Sequence, residues 1–229
     1  MRYLQAIVLD FDGVIADTEP LHFEACRDVL APFGVALTEG EYADHYIGLA
    51  DRAALTKASR AHGLDVNGPL VDELIARKAE VLRHVLGRTR PMYPGVADLL
   101  RRWSAEVPLA VASGALRSEI DLVLGAAGVA DTITVVVSAD DHLLTKPAPD
   151  PYLKALALLG PHAGGPLDPR RTVAIEDSRF GLESARAARM RTVALTTNFP
   201  PSAFRDADLV VGTLPDLTLD ALDALCAVE

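Results

Sequence analysis

Aromatic side chains make up only 5% of this 229-residue chain, so any core must be built mainly from Ala, Val and Leu. Cysteine is scarcer still. Cys26 and Cys226 stand far apart in no metal-ligand spacing, which excludes a disulfide framework and favours a reducing compartment. No stretch approaches the roughly 18 uninterrupted apolar residues of a membrane helix, so no membrane partner is expected. The apolar run 3–9 lacks a basic leader and a small-residue cleavage site; it reads as a strand, not a signal peptide, and the expected location is cytoplasmic. Basic excess is missing too. A net charge of −10 argues against a nucleic-acid surface, which needs clustered Lys and Arg. It leaves room for a small phosphorylated partner, because a local metal ion and a few cations override the global field. No internal repeat is visible, and a monomer is the default.

What is present is a globular core. Half of the residues are hydrophobic, which excludes a disordered chain. Short apolar runs rich in β-branched residues occur at 3–9, 109–112, 133–137, 172–175, 192–195 and 209–211. Apolar and polar residues do not alternate within them, so they read as strands buried on both faces. Helical patterns at 116–127, 151–159 and 181–188 lie between strands. Strands alternating with helices predict an α/β fold with a parallel, doubly wound sheet.

The first strand breaks the rhythm. Its next neighbour starts at Leu109, whereas a crossover helix needs only about a dozen residues. The segment between carries helical periodicity at 21–33, 41–46, 52–62 and 71–86, punctuated by Gly34, Gly63, Gly68 and Gly87 as helix stops. It predicts an inserted all-helical second domain over 16–92, with the core formed by 1–15 and 93–229. The Pro/Gly-rich loop 160–171 reads as a mobile surface connection.

Ligands of open parallel sheets bind beyond the carboxyl ends of the strands. Asp10-Phe11-Asp12-Gly13 follows the first strand, Ser113-Gly114 the second and Glu176-Asp177-Ser178 the fourth, while Lys146-Pro147 follows the third and its polar loop. Each alone has an ordinary reading: Asp-x-Asp as a turn, Ser178 or Asp177 as a helix cap, Ser-Gly as a turn pair, Lys146 as a surface charge. Together the ordinary account strains. Carboxylates crowded at the edge of an apolar sheet raise one another's pKa, and a divalent cation removes that penalty. The chain holds four lysines against 18 arginines, so a Lys at position 146 suggests a need for a compact point charge.

These motifs carry a resemblance. DFDGVIADT at 10–18, SG at 113–114, KP at 146–147 and ED at 176–177 stand in the order found in the haloacid dehalogenase superfamily, and the chain resembles its phosphatase and phosphomutase branch over nearly its whole length. The resemblance implies neighbouring first and fourth motif strands and a helical cap. It implies Asp10 as nucleophile, Asp12 as acid and base, and Mg2+ held by Asp10, Asp12 (through its backbone carbonyl), Glu176 and Asp177. Ser113, Gly114 and Lys146 would hold the transferring phosphate. His22, Arg52, Lys78 and Arg117 are candidate substrate contacts, each with an alternative as a surface or ion-pair residue. Glu19 lies near His22, and Thr18 reads as a helix cap or hinge.

The expected activity is hydrolysis of a small phosphorylated metabolite, a sugar phosphate or a phosphoglycolate-like acid. The alternative is a mutase of the β-phosphoglucomutase type. Those enzymes carry a Lys before the cap-loop glycine, where this chain has Ile47 before Gly48. They also carry hydroxyl and basic residues after the motif Ser, where it has Gly114, Ala115 and Leu116. A true dehalogenase would leave Asp12 and the Glu176–Asp177 pair unexplained. A non-catalytic relative would bind ligand without turnover, yet no motif residue is missing.

Overall fold

The computed structural model describes residues 2–47, 49–141 and 144–227, so the cap-loop Gly48 lies outside the described residues. The chain opens with β1 (Ala6–Leu9). Among the described residues, four α-helices follow before the next strand: α1 (Glu19–Leu30), α2 (Glu39–His45), α3 (Asp51–Ala61) and α4 (Gly68–Leu86). Then come α5 (Val96–Ser104), β2 (Leu109–Ala112), α6 (Arg117–Ala126), β3 (Val135–Val137) and α7 (Asp150–Leu159). The last stretch is β4 (Thr172–Glu176), α8 (Arg179–Ala187), β5 (Arg191–Leu195), β6 (Leu209–Val211) and α9 (Leu219–Cys226).

All six strands join one parallel sheet in the order β3-β2-β1-β4-β5-β6. The chain winds outward from β1 in one direction and from β4 in the other. The switch point therefore lies between β1 and β4, where an open α/β sheet offers its ligand crevice. The central strands β1, β2 and β4 are buried throughout, as the unbroken apolar runs predict, while the edge strands β3 and β6 are mostly half-buried. One face of the sheet presents Ala6, Val8, Ala110, Ala112 and Ala174 to Tyr152, Leu156 and Ala185 of α7 and α8. Alanines let helices approach closely, which is how a core poor in aromatics reaches full packing.

The chain divides into two units, one of residues 1–17 with 91–229 and the other Thr18–Arg90. This border lies two residues inside 16–92 at each end because the linkers are tied into the first unit. Asp17 N–H donates to the Pro91 carbonyl (2.8 Å), Tyr93 N–H to Ile15 (3.1 Å), and Ala16 bridges Met92 in antiparallel fashion. The helical unit has its own core, with Cys26, Leu30, Tyr42, Leu55 and Leu74 buried together.

Several expectations need correction. The first strand begins at Ala6, not Tyr3, because the Tyr3 and Leu4 N–H groups donate to Asp223 of α9 (2.6 and 2.7 Å) instead of a neighbouring strand. Gly68 opens α4 behind the cap Asn67 and stops nothing. The loop 160–171 contains two 3-10 turns, Gly160–Ala163 and Pro169–Arg171. Helices α5 and α9 were not expected, although Val96, Leu99, Leu100 and Trp103 repeat at helical spacing and are buried. Both cysteines are free and buried. No helix among the described residues is long and apolar enough to cross a membrane.

Candidate active site

Asp10 is the first residue beyond β1, and its N–H continues the ladder onto the Ile175 carbonyl (2.9 Å). The chain then turns back at once. The Phe11 carbonyl accepts from Ile15 and Ala16 (2.9 and 3.1 Å), and Gly13 N–H donates to Ala16 (2.8 Å). Gly13 has φ +73°, and a Cβ there would stand 2.0 Å from Oδ2 of Asp177. Only glycine serves this turn on both counts. The motif loop is thus pressed against the end of β4.

At that end, Glu176 is fully buried and every oxygen is held. Lys146 Nζ and the Tyr152 hydroxyl both donate to Oε1 at 2.6 Å, while the Ser178 hydroxyl donates to Oε2 at 3.0 Å. Ser178 also caps α8, accepting from Gly181 N–H (3.0 Å). A Cβ on Gly181 would fall 1.9 Å from the Glu176 carboxyl, so the helix start closes over that side chain. Lys146 bridges onward to Asp10, with Nζ 2.9 Å from Oδ1. That approach misses hydrogen-bond alignment, and Asp10 Oδ1 stays a buried oxygen without a hydrogen-bond partner.

Burial pushes the Asp10 carboxyl up to about 7, helped by the charges of Glu176 and Asp12 and opposed by Lys146. For Lys146, burial disfavours the charge, but Asp10 and Glu176 together overcome it and raise the ammonium above its usual range. Tyr152 is raised well above its ordinary value by burial and then by Glu176, so its hydroxyl remains a donor.

Asp10, Glu176 and Asp177 each offer an oxygen within 4.8 Å of the others, and all three are buried. Hard oxygen ligands of this kind suit a divalent cation. Oδ1 of Asp10, paired with the Lys146 ammonium but receiving no aligned hydrogen bond, fits the same ion.

Lys146, Glu176 and Asp177 therefore stand with Asp10, and Asp12 is close enough for its charge to act on Asp10. Ser113 directly follows β2, the strand beside β1; its N–H donates to the Val137 carbonyl (3.0 Å) and its hydroxyl accepts from Ala115 N–H (3.1 Å). Around Gly114 the space a Cβ would take is open. Arg117 is an exposed residue of α6, paired with Asp121 one turn on (2.9 Å).

In the helical unit, His22, Lys78 and Asp51 come together. Lys78 Nζ lies 2.9 Å from His22 Nδ1 and pairs with Asp51. Lys78 is buried despite its charge. Arg52 sits in the first turn of α3, not in a loop, and pairs with Asp72 on α4; both side chains are exposed. Glu19 accepts from the Tyr42 hydroxyl (3.2 Å). Thr18 occupies the cap position of α1 but makes no side-chain cap bond to the helix.

Sequence reasoning passed over Tyr152, Thr197 and Asn198. Tyr152 reads as an ordinary core aromatic of α7, and only its hydroxyl betrays a polar errand. Thr197 and Asn198 follow β5, another carboxyl end of the same sheet, to which the rule for ligand crevices applies equally. Thr197 donates to the Gly13 carbonyl (2.8 Å) and Asn198 to Asp177 Oδ2 (2.7 Å).

The family model of haloacid dehalogenase-like hydrolases matches residues 7–195. CbbY of Rhodobacter capsulatus is 32% identical over 97% of this chain and 97% of its own. Hexitol phosphatase B of Escherichia coli (strain K12) is 30% identical over 100% of this chain and 97% of its own. A mutant of CbbY from Rhodobacter sphaeroides, solved in complex with xylulose-1,5-bisphosphate, matches with a TM-score of 0.79 at 26% identity, over 92% of this chain and 94% of that one.

Proposed function

The chain belongs to the family of haloacid dehalogenase-like hydrolases, and from that premise we propose that it is a magnesium-dependent phosphatase of small sugar phosphates. The observation that carries the reading is Asp10 Oδ1. It is a buried carboxylate oxygen without a hydrogen-bond partner, beside a lysine and within a cluster of further acids.

A bound Mg2+ would neutralise charge on the carboxylates and on the phosphate, letting the two anions meet. Asp10 and Asp177 would hold it through side-chain oxygens and Asp12 through its carbonyl. Glu176, whose oxygens already carry donors, contributes its charge and holds Lys146. Asp10 attacks phosphorus, forming an aspartyl-phosphate as the bond to the sugar oxygen breaks. Asp12 gives its proton to that oxygen, then takes one from the water that attacks phosphorus and frees Asp10. Lys146 and Ser113, with the neighbouring backbone amides at Gly114, hold the phosphoryl oxygens while charge builds on them.

The helical unit 18–90 acts as the cap in this reading and selects the substrate. Arg52 and Arg117 hold exposed carboxylates that an anionic substrate group can displace, whereas His22 and Lys78 hold each other. The names of the relatives, a hexitol phosphatase and a CbbY bound to a xylulose bisphosphate, support sugar phosphates of five or six carbons. Two buried, unpaired cysteines support action in a reducing compartment.

The test is phosphate release from hexitol phosphates, xylulose-1,5-bisphosphate and phosphoglycolate, with magnesium and with chelator. Magnesium-dependent release from a sugar phosphate is expected. Conversion of β-glucose 1-phosphate to its 6-phosphate with a bisphosphate primer, and no release from any compound, would replace hydrolysis by a mutase.

A further inference from the structure

Three strand ends interlock where Asp177 sits. Its Oδ2 accepts from Asn198 Nδ2 at 2.7 Å, and a Cβ on Gly13 would stand 2.0 Å from that oxygen and 2.7 Å from that nitrogen. The Asp177–Asn198 pair therefore lies directly on the turn that carries Asp10 and Asp12. The next residue back, Thr197, donates to the Gly13 carbonyl at 2.8 Å and ties the loop after β5 to the same turn. Asn198 lies just beyond the stretch 7–195 matched by the family model.

We infer that Asn198 is a positioning residue for cation binding: its amide sets the orientation of the Asp177 carboxylate. A carboxylate rotates about its last bond, and an oxygen pinned by one donor fixes where the other points. The choice of an amide is chemically pointed. Glu176 is held by a lysine, which cancels charge as it orients. Asn198 orients without adding a charge, so this contact leaves the negative charge of Asp177 in place for a cation. Partners that orient metal ligands in this way are worth about 10–100-fold in metal affinity.

The inference rests on the magnesium-dependent reading, and the experiment separates the two. Magnesium chloride is titrated calorimetrically into the metal-free full-length protein and into Asn198→Ala, Asn198→Leu and Thr197→Val. Leu matches Asn in size, so a cavity alone does not decide the outcome. Thr197→Val unties the same loop but leaves the donor to Asp177. Both Asn198 variants are expected to bind magnesium about tenfold more weakly or worse, and Thr197→Val within about threefold of wild type. Affinity within about twofold of wild type in Asn198→Leu overturns the inference, as does an equal loss in Thr197→Val, which would make the loop a mere prop. A wild-type protein that takes up no magnesium overturns this inference and the metal reading together.

Discussion

Two lysines form ion pairs inside the protein, Lys78 buried in one unit and Lys146 half-buried in the other, and their surroundings differ in a way that separates a candidate site from a scaffold. Lys78, between helices of the 18–90 unit, faces Asp51 and the Nδ1 of His22. An ammonium only donates, so that nitrogen accepts beside the ion pair with Asp51. Lys146 faces Asp10 and Glu176, with Asp177 in the same cluster. One ammonium there answers three carboxylates. Burial makes such an imbalance costly, and the raised Asp10 carboxyl registers the cost. In the proposed reading, this gathering of acids around one ammonium is where a cation and a phosphate would enter.

Removing Lys146 should break the comparison most severely. Lys146→Met keeps the length of the side chain and deletes the charge, leaving Asp10 and Glu176 without their ammonium. Turnover should fall about a thousandfold. Without magnesium the folded state should lose about 3–5 kcal/mol, the cost of stripping a partner from buried charge. Thermal melts with and without magnesium check the account: the metal should restore much of the loss, since it supplies the missing positive charge. A variant equally unstable in both conditions would deny the site its surplus.

The imbalance also has a pH signature. Asp10 sits at about 7 in the folded protein against 3.8 ordinarily, so the folded state holds its proton more tightly. The stability this contributes is full below about pH 4 and is lost as pH rises through about 7. Metal-free Asp10→Asn, which cannot ionise there, should be more stable than wild type above pH 7 by about 4 kcal/mol and should converge on it near pH 4. Matched melts across that range would show the gap opening. Parallel curves would place the strain elsewhere.

Much of this was legible before any coordinate. The unbroken apolar runs announced a parallel sheet, and acids placed just after them announced the edge where they meet. Strand ends fix where a side chain starts, so Asp10, Glu176 and Asp177 needed only the sheet order to converge. Less visible were residues whose part depends on one atom. The Tyr152 hydroxyl and the Asn198 amide act through single bonds at 2.6 and 2.7 Å, with nothing in composition or spacing to mark them. In the helical unit the limit was different. Arg52, Lys78 and His22 offered charge without strand ends to place it, and helical periodicity says which face a residue occupies, not which partner it meets across helices.

Lys78→Met sharpens the other half of the comparison. It removes the ion pair with Asp51, whose side chain is 39% exposed and can turn to water. The loss of stability should be smaller than at Lys146, about 2 kcal/mol, and magnesium should not repair it. Magnesium affinity itself should stay unchanged. Chemical denaturation with and without the metal reads both. A stability loss that magnesium reverses would tie Lys78 to the metal cluster and erase the contrast between the two lysines.

Tyr152→Phe probes how tightly Lys146 must be held, with the smallest change. The variant keeps the ring, whose centre lies 5.2 Å from the lysine nitrogen, and deletes the hydroxyl that donates to Glu176 Oε1. Oε1 retains Lys146 as its donor, so no buried charge is orphaned, and the cost should be about 1 kcal/mol. With one donor gone, Glu176 draws Lys146 harder toward itself and away from Asp10. The Asp10 carboxyl, less well opposed, should rise further, and turnover near neutral pH should fall severalfold while recovering at higher pH. A pH–rate profile of the variant beside wild type decides it. An unshifted profile with normal turnover would mean that Asp10 and Glu176 alone set the position of Lys146 and that the tyrosine serves only the core.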